Sequence, residues 1–188
     1  MPDDVPELVR RCLSGDEAAM TELIGLFRGQ VFGLCYRMLG HRQDAEDMTQ
    51  ESFVRAFRSL NRWDSRRDFR PWLLAIAGNR CRTLLANRRR TPRPTSEVDH
   101  LPDARSDRQQ QSNLAEEMKV ALSYLREEYR QALVLFHEQQ MECSEIAEVL
   151  DCPVGTVKTW LRRARRELAE QLRRRGVLEE TDHAVRRV

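Results

Sequence analysis

The chain has 188 residues, 33% of them charged, 40% hydrophobic and 6% aromatic, and its 32 basic and 30 acidic side chains leave a formal net charge of +2. That length allows one domain or two small ones. No run of 18 apolar residues offers a membrane-spanning helix, and 8 Gly with 7 Pro excludes a collagen-like or low-complexity chain.

A net charge near zero argues against a polyanion partner only if the charge is evenly spread, and here it is not. Residues 1–51 carry 5 basic and 10 acidic side chains (−5), residues 52–90 carry 11 and 2 (+9), residues 113–151 carry 3 and 9 (−6), and residues 152–176 carry 8 and 2 (+6). The pattern is acidic then basic, twice, and two basic blocks this dense point to polyanion contacts. The opening MPDDVPELVRR lacks a cationic start followed by an apolar stretch, so a secretory leader is not expected. Five cysteines stand singly and in odd number, which fits free thiols in a reducing, cytoplasmic setting. His137, Cys143 and Cys152 do not complete a zinc-ligand spacing, and no metal is expected.

In chain order, Ser14-Gly15-Asp16-Glu17 reads as a capping box with Ser14 as N-cap. Met20, Leu23, Ile24, Phe27, Val31, Leu34, Cys35 and Met38 then follow at helical steps until Gly40 closes the helix. A further helix runs from about Arg42 to Leu60, Asn61 to Asp68 break the pattern, and the next helix runs from Phe69 to about Arg89. Residues 91–112, TPRPTSEVDHLPDARSDRQQQS, hold three prolines and no aromatic residue, and read as a flexible linker. Beyond it, helices are expected over Leu114 to about Arg126, Glu128 to about Gln140, Ser144–Leu150 and Val154–Leu172, the last two joined by Asp151-Cys152-Pro153. The fold class is all-α: two small helical domains, residues 7–90 and 113–176, with the linker between them and a short tail at 177–188. Two short helices around a tight turn, the second of them basic, form a helix-turn-helix signature.

At 100° per residue, Val157, Leu161, Ala164 and Leu168 make a core stripe on the last helix, and Thr156, Thr159, Arg162, Arg163 and Arg166 fall opposite. Short hydroxyls and arginines on one face suit a DNA major groove, with Lys158 and Arg165 at the flank placed for phosphates. The other basic block interleaves Trp63, Phe69 and Trp72 with Arg62, Arg66, Arg67 and Arg70, a combination suited to melted DNA, whose bases are exposed for stacking. Phe53, Phe57 and Trp72 sit at core spacing, which leaves Trp63, in the loop, as the stacking residue. On the helix after it, Ala75, Gly78, Asn79 and Arg82 fall opposite the apolar stripe, where small residues admit a DNA backbone and Asn79 reaches a base edge. Asp44, Glu46, Asp47 and Glu51 open the preceding helix, where acids favour the positive helix end. No Gly-rich phosphate loop and no Ser/His/Asp arrangement is recognisable, so neither an enzyme nor a cofactor is expected.

DAEDMTQESFVRAFRSL, FRPWLLAIAGN and SEIAEVLDCPVGTVKTWLRRARREL, in that order, resemble the extracytoplasmic-function (ECF) group of bacterial sigma-70 factors. The resemblance implies a region 2 domain over 7–90 and a region 4 domain over 113–176. It implies that Asp44, Asp47, Gln50 and Glu51 dock on the β′ clamp helices of core RNA polymerase, with the β flap as a second docking point. Asn61, Trp63, Arg66, Arg67, Asn79 and Arg82 would capture and melt the −10 promoter element. Thr156, Lys158, Thr159, Arg162, Arg163 and Arg166 would read the −35 element as duplex, and the linker would thread toward the polymerase cleft and RNA exit path. An anti-sigma factor is the expected regulator, and the chain itself has no direct membrane insertion. Several residues depart from the family pattern. Trp160 stands where Arg is usual and is expected to pack on the rim of the apolar stripe; Arg80 and Arg82 replace aliphatics, with Arg80 snorkelling; Thr83 replaces Asp; and Glu142 takes the usual N-cap Ser position, so its helix must be capped differently. Two other readings fit part of the pattern: an autonomous helix-turn-helix regulator, which binds duplex without polymerase, and a sigma mimic that titrates an anti-sigma factor and needs no DNA-facing arginines.

Overall fold

The computed structural model describes residues 5–90 and 106–178, with side chains described over 5–90 and 114–178. The order is α1 (Val5–Leu13), α2 (Glu17–Leu39), α3 (Arg42–Arg58), a single 3-10 turn (Leu60–Arg62), α4 (Phe69–Arg90), α5 (Ser106–Ser123), α6 (Glu127–His137), α7 (Cys143–Leu150) and α8 (Val154–Arg174). No strand occurs among the described residues, and no described helix is long and apolar enough to cross a membrane. The chain divides into two compact units, one carrying α1–α4 and the other α5, α6, α8 and most of α7.

In the first unit α2, α3 and α4 pack on one another and α1 lies against α2. The core follows the helical period: Val5, Leu8, Val9 and Cys12 on α1, Leu23, Phe27, Val31, Leu34, Cys35 and Met38 on α2, and Phe69, Leu73, Leu74, Ala77 and Cys81 on α4 are buried. Thr49 and Ser52 of α3 are buried too, because each hydroxyl donates to the carbonyl four residues back, Ala45 and Met48, at 2.6 Å. Cys12, Cys35 and Cys81 are buried free thiols, and a hydrogen bond shared with Cys35 together with burial pushes the Cys81 thiol far up.

The start of α2 differs from the capping box expected at Ser14. Asp16 is the N-cap: its carboxylate accepts from the Ala18 and Ala19 amides at 2.9 and 3.1 Å and from Arg11 Nε at 2.8 Å. Ser14 instead donates to the Arg11 carbonyl and closes α1. Gly15, at φ +88, turns the chain between them, which moves the helix start two residues on. Gly40 ends α2 as expected, at φ 72 with its amide on the Tyr36 carbonyl at 2.8 Å.

In the second unit α8 packs on α6 and α5. The α8 stripe is buried at Val157, Leu161 and Ala164 and continues to Ala169 and Leu172, whereas Leu168, expected in the stripe, is only half-buried. Arg130 is buried on α6 because Nη2 donates to the Ser123 and Leu125 carbonyls at 2.8 and 3.1 Å and so caps the end of α5. Asp151, in the left-handed region at φ 50, makes the sharp turn between α7 and α8. Glu142 is indeed capped differently: its amide donates to the Glu145 carboxylate at 2.6 Å, the reciprocal half of a capping box. α5 begins at Ser106 rather than Leu114, seven residues inside the segment read as linker. The rest of that linker, residues 91–105, and residues 179–188 of the tail lie outside the described residues.

Candidate nucleic-acid and polymerase interfaces

The four residues implied in polymerase docking share α3 but not the same surroundings. Asp47 and Gln50 are exposed, and Asp47 accepts a long 3.5 Å contact from Gln43 Nε2. Asp44 is tied back to α4 by Arg88 Nη2 at 2.5 Å and has His41 Nδ1 at 3.6 Å. Glu51 accepts from Arg80 Nη2 at 2.7 Å and from Arg55 Nε at 3.1 Å. Burial acts to raise the Glu51 carboxyl, and the two guanidinium hydrogen bonds outweigh it, leaving the group below the ordinary carboxylate range. Arg80 therefore does more than snorkel: its head is held by a carboxylate.

The residues implied in −10 capture fall in two groups. In the loop, Asn61, Arg66 and Arg67 are exposed. Asp64 orders this loop: its carboxylate accepts from the Arg66 amide at 3.1 Å and from Arg66 Nε and Nη2 at 3.0 and 3.1 Å. Trp63 is not the open platform its loop position suggests. Its ring is half-buried and meets Phe69 edge-on at 5.4 Å, and among the described residues its buried indole Nε1 has no hydrogen-bond partner. Phe69 in turn touches Phe27 at 5.2 Å and Trp72 at 5.4 Å, so the loop aromatic is footed on the core. The second group lies ten residues into α4, about 15 Å along its axis from Phe69, where exposed Asn79 accepts through Oδ1 from Arg82 Nη2. Gly78, expected on the open face, is buried, because α4 packs against both α2 and α3 and has two covered faces rather than one stripe.

On α8, Lys158, Arg162, Arg163 and Arg166 are exposed, and Thr156 and Thr159 are half-buried beside them. Thr159 Oγ1 donates to the Gly155 carbonyl at 2.9 Å. Among the described residues no carboxylate forms an ion pair with Arg162, Arg163 or Arg166, whereas Arg163 Nη1 donates to the Tyr129 hydroxyl at 3.1 Å. Arg126 lies over the same Tyr129 ring, 5.9 Å from its centroid. Together Arg126, Tyr129, Arg162, Arg163, Arg166 and Glu167 line a cleft of about 480 Å³. Trp160 is half-buried, as its place on the rim of the apolar stripe requires, and the Arg165 guanidinium sits 5.2 Å from the centre of the Phe136 ring. Arg126 and Tyr129 were not legible from the sequence pattern: Arg126 immediately precedes α6 and Tyr129 is in its first turn, both within the acidic block, and only the packing of α6 on α8 brings them to the arginines.

Two family patterns match the chain, Sigma-70 region 2 over residues 23–91 and Sigma-70, region 4 over residues 115–168. It is 30% identical to the ECF RNA polymerase sigma factor SigW of Bacillus subtilis, over 90% of this chain and 97% of that relative. It is 32% identical to the RNA polymerase sigma-H factor of Pseudomonas aeruginosa, over 88% and 92% of the two chains. Among solved structures, CnrH in complex with the cytosolic domain of CnrY superposes with a TM-score of 0.67 at 27% identity, over 91% of this chain and 98% of that one. The sigma factor RpoE, solved with the anti-sigma factor NepR from Bartonella quintana, shares the fold at a TM-score of 0.66 and 21% identity, over 81% and 96%. With both regions matched in order and relatives aligned over nearly their whole length, the chain belongs to the ECF group of sigma-70 factors, the non-catalytic subunits through which RNA polymerase begins transcription at chosen promoters.

Proposed function

We propose that the two units of this sigma factor divide promoter recognition between melted and duplex DNA, and that the exposed faces of α3 and α8 carry the two outer contacts. Asp47 and Gln50, with Asp44 and Glu51 behind them, dock on the β′ clamp helices, and the second unit meets the β flap. The ordered loop with Asn61, Trp63, Arg66 and Arg67, and the Asn79–Arg82 pair, engage the −10 element as single strands. Thr156, Lys158, Thr159, Arg162, Arg163 and Arg166 engage the −35 element as duplex. Two modest DNA contacts held on one polymerase gain strength by avidity. The observation that carries this reading is the α8 face, where arginines stand exposed and none forms an ion pair with a described carboxylate. A partner of the anti-sigma class is supported by the complexes in which the similar CnrH and RpoE were solved. The place of action is the cytoplasm, where transcription by this family occurs.

Run-off transcription with core polymerase across a template library tests the assignment. Asp47→Arg is expected to weaken polymerase binding itself, and Trp63→Ala to leave that binding intact while slowing open-complex formation. Equal loss of polymerase affinity in both variants would show the loop to be misassigned. An autonomous regulator would instead bind duplex tightly in the absence of polymerase.

A further inference from the structure

The Tyr129 ring is 4% exposed, so its hydroxyl is a fixed point at the start of α6. Arg163 reaches it across the α6–α8 packing with Nη1, at 3.1 Å. A guanidinium has five N–H donors, and one bond to a phenol leaves the others for an anion while restricting the side chain's rotamers beforehand. A phenol also leaves the positive charge uncompensated, unlike the carboxylates that hold Arg80 and Arg88 on α4. Four arginines and one acid, Glu167, line the cleft, so its balance stays strongly positive. A side chain that reads a base edge projects from the helix into the groove. Arg163 is instead drawn back toward α6, where Arg126 lies over the same ring at 5.9 Å.

We propose that Arg126, Arg163 and Arg166 form a clamp for a DNA backbone phosphate between α6 and α8, with Tyr129 as the positioning residue that aims Arg163. The inference rests on the reading of α8 as the −35 duplex contact. It moves Arg163 from base reading to backbone holding, and leaves Thr156, Thr159 and Arg162 to face the groove.

The test uses holoenzyme assembled from the full chain and core polymerase, and a duplex library randomised across the −35 region, over a salt series. Arg163→Ala is expected to weaken all library members alike, about five- to tenfold, and to reduce the slope of log affinity against log salt by about 1. Arg126→Ala, an exposed change that leaves the core untouched, is expected to reduce the slope in the same way. Arg162→Ala should instead change which bases are selected. Tyr129→Phe keeps the ring and deletes the hydroxyl; a loss of about two- to fivefold is expected with an unchanged unfolding midpoint. That loss should vanish in an Arg163→Ala background, since the hydroxyl acts only through that guanidinium. A base-specific loss at Arg163→Ala with the slope unchanged, or additive losses for Tyr129→Phe and Arg163→Ala, overturns the clamp. If the unsubstituted holoenzyme selects no −35 sequence at all, it is the underlying reading of α8 that fails.

Discussion

The arginines of α4 and those of α8 are the same residue type put to opposite uses. On α4, Arg80 and Arg88 are held by Glu51 and Asp44 of α3, at 2.7 and 2.5 Å. On α8, Arg162, Arg163 and Arg166 form no ion pair with a described carboxylate; Arg163 hydrogen-bonds a neutral phenol, and Glu167 is the one acid lining the same cleft. The two basic blocks have formal charges of +9 and +6, and the larger is partly neutralised by the acidic block that precedes it. Block charge therefore measures how many cations a segment has, and packing decides how many remain available to a partner. The first unit uses part of its charge to hold α3 on α4; the second ties Arg175 to Glu117 on α5 and leaves Arg162, Arg163 and Arg166 without an ion pair to a described carboxylate.

Three changes probe that contrast, in order of expected size. Arg162→Ala should cost about 1–3 kcal/mol of promoter binding if a base contact is lost, while its unfolding free energy stays within about 0.5 kcal/mol, as for exposed sites generally; fluorescence-detected promoter titration and urea unfolding report the two quantities. Arg80→Ala should show the reverse, losing about 1 kcal/mol of stability because Glu51 keeps its partial burial without its cross-helix partner, with duplex binding unchanged. A large loss of duplex binding in the Arg80 variant, without unfolding, would erase the distinction between the helices.

The smallest effect is in pH. The Glu51 carboxyl is held below its ordinary value of 4.5, so the unfolded chain binds its proton more readily, and the pair's stabilisation is present above pH 4.5 and lost as pH falls through the folded value. His137, beside Phe136 on α6, is held below its ordinary 6.5 by partial burial and by the Arg165 charge. Its unfolded form also takes the proton first, so that contribution is full above pH 6.5 and shrinks on acidification toward the folded value. Acidification from neutral pH should reach the second unit before the first. Melting temperatures followed against pH should lose slope just below pH 6.5 in His137→Gln, and should fall less steeply below pH 4.5 in Arg80→Ala, where Arg55 still holds Glu51.

Local signals were legible where a residue's role depends on its own helix. The period of Val157, Leu161 and Ala164, the stop at Gly40 and the turn before α8 all follow from spacing and backbone preference within a few residues. Roles set between helices were not. Ser14 and Asp16 are equally good N-caps by type, and the choice is made by the left-handed Gly15 and by Arg11 on α1. A wheel with one apolar stripe misplaces Gly78, because α4 is covered from two sides. The partner of Arg80 lies a helix away, and Tyr129 is 34 residues from Arg163. On the site, residue types pointed to DNA and polymerase, but which cations and acids remain open to them depended on contacts that no local pattern encodes.

The ion pair between Arg88 and Asp44 has a mechanical consequence. Arg88 stands two residues before the end of α4, and its partner is in the first turn of α3, 44 positions earlier in the chain. In the second unit Arg175, just past the end of α8, is likewise clasped to Glu117 on α5. Helix ends ordinarily fray first. Here, the last turn before residue 91 is clipped to the opening turn of another helix, so a pull arriving from the connecting segment meets a latched end. The clip opposes fraying at that end by up to about 1 kcal/mol, the scale of a partly exposed ion pair.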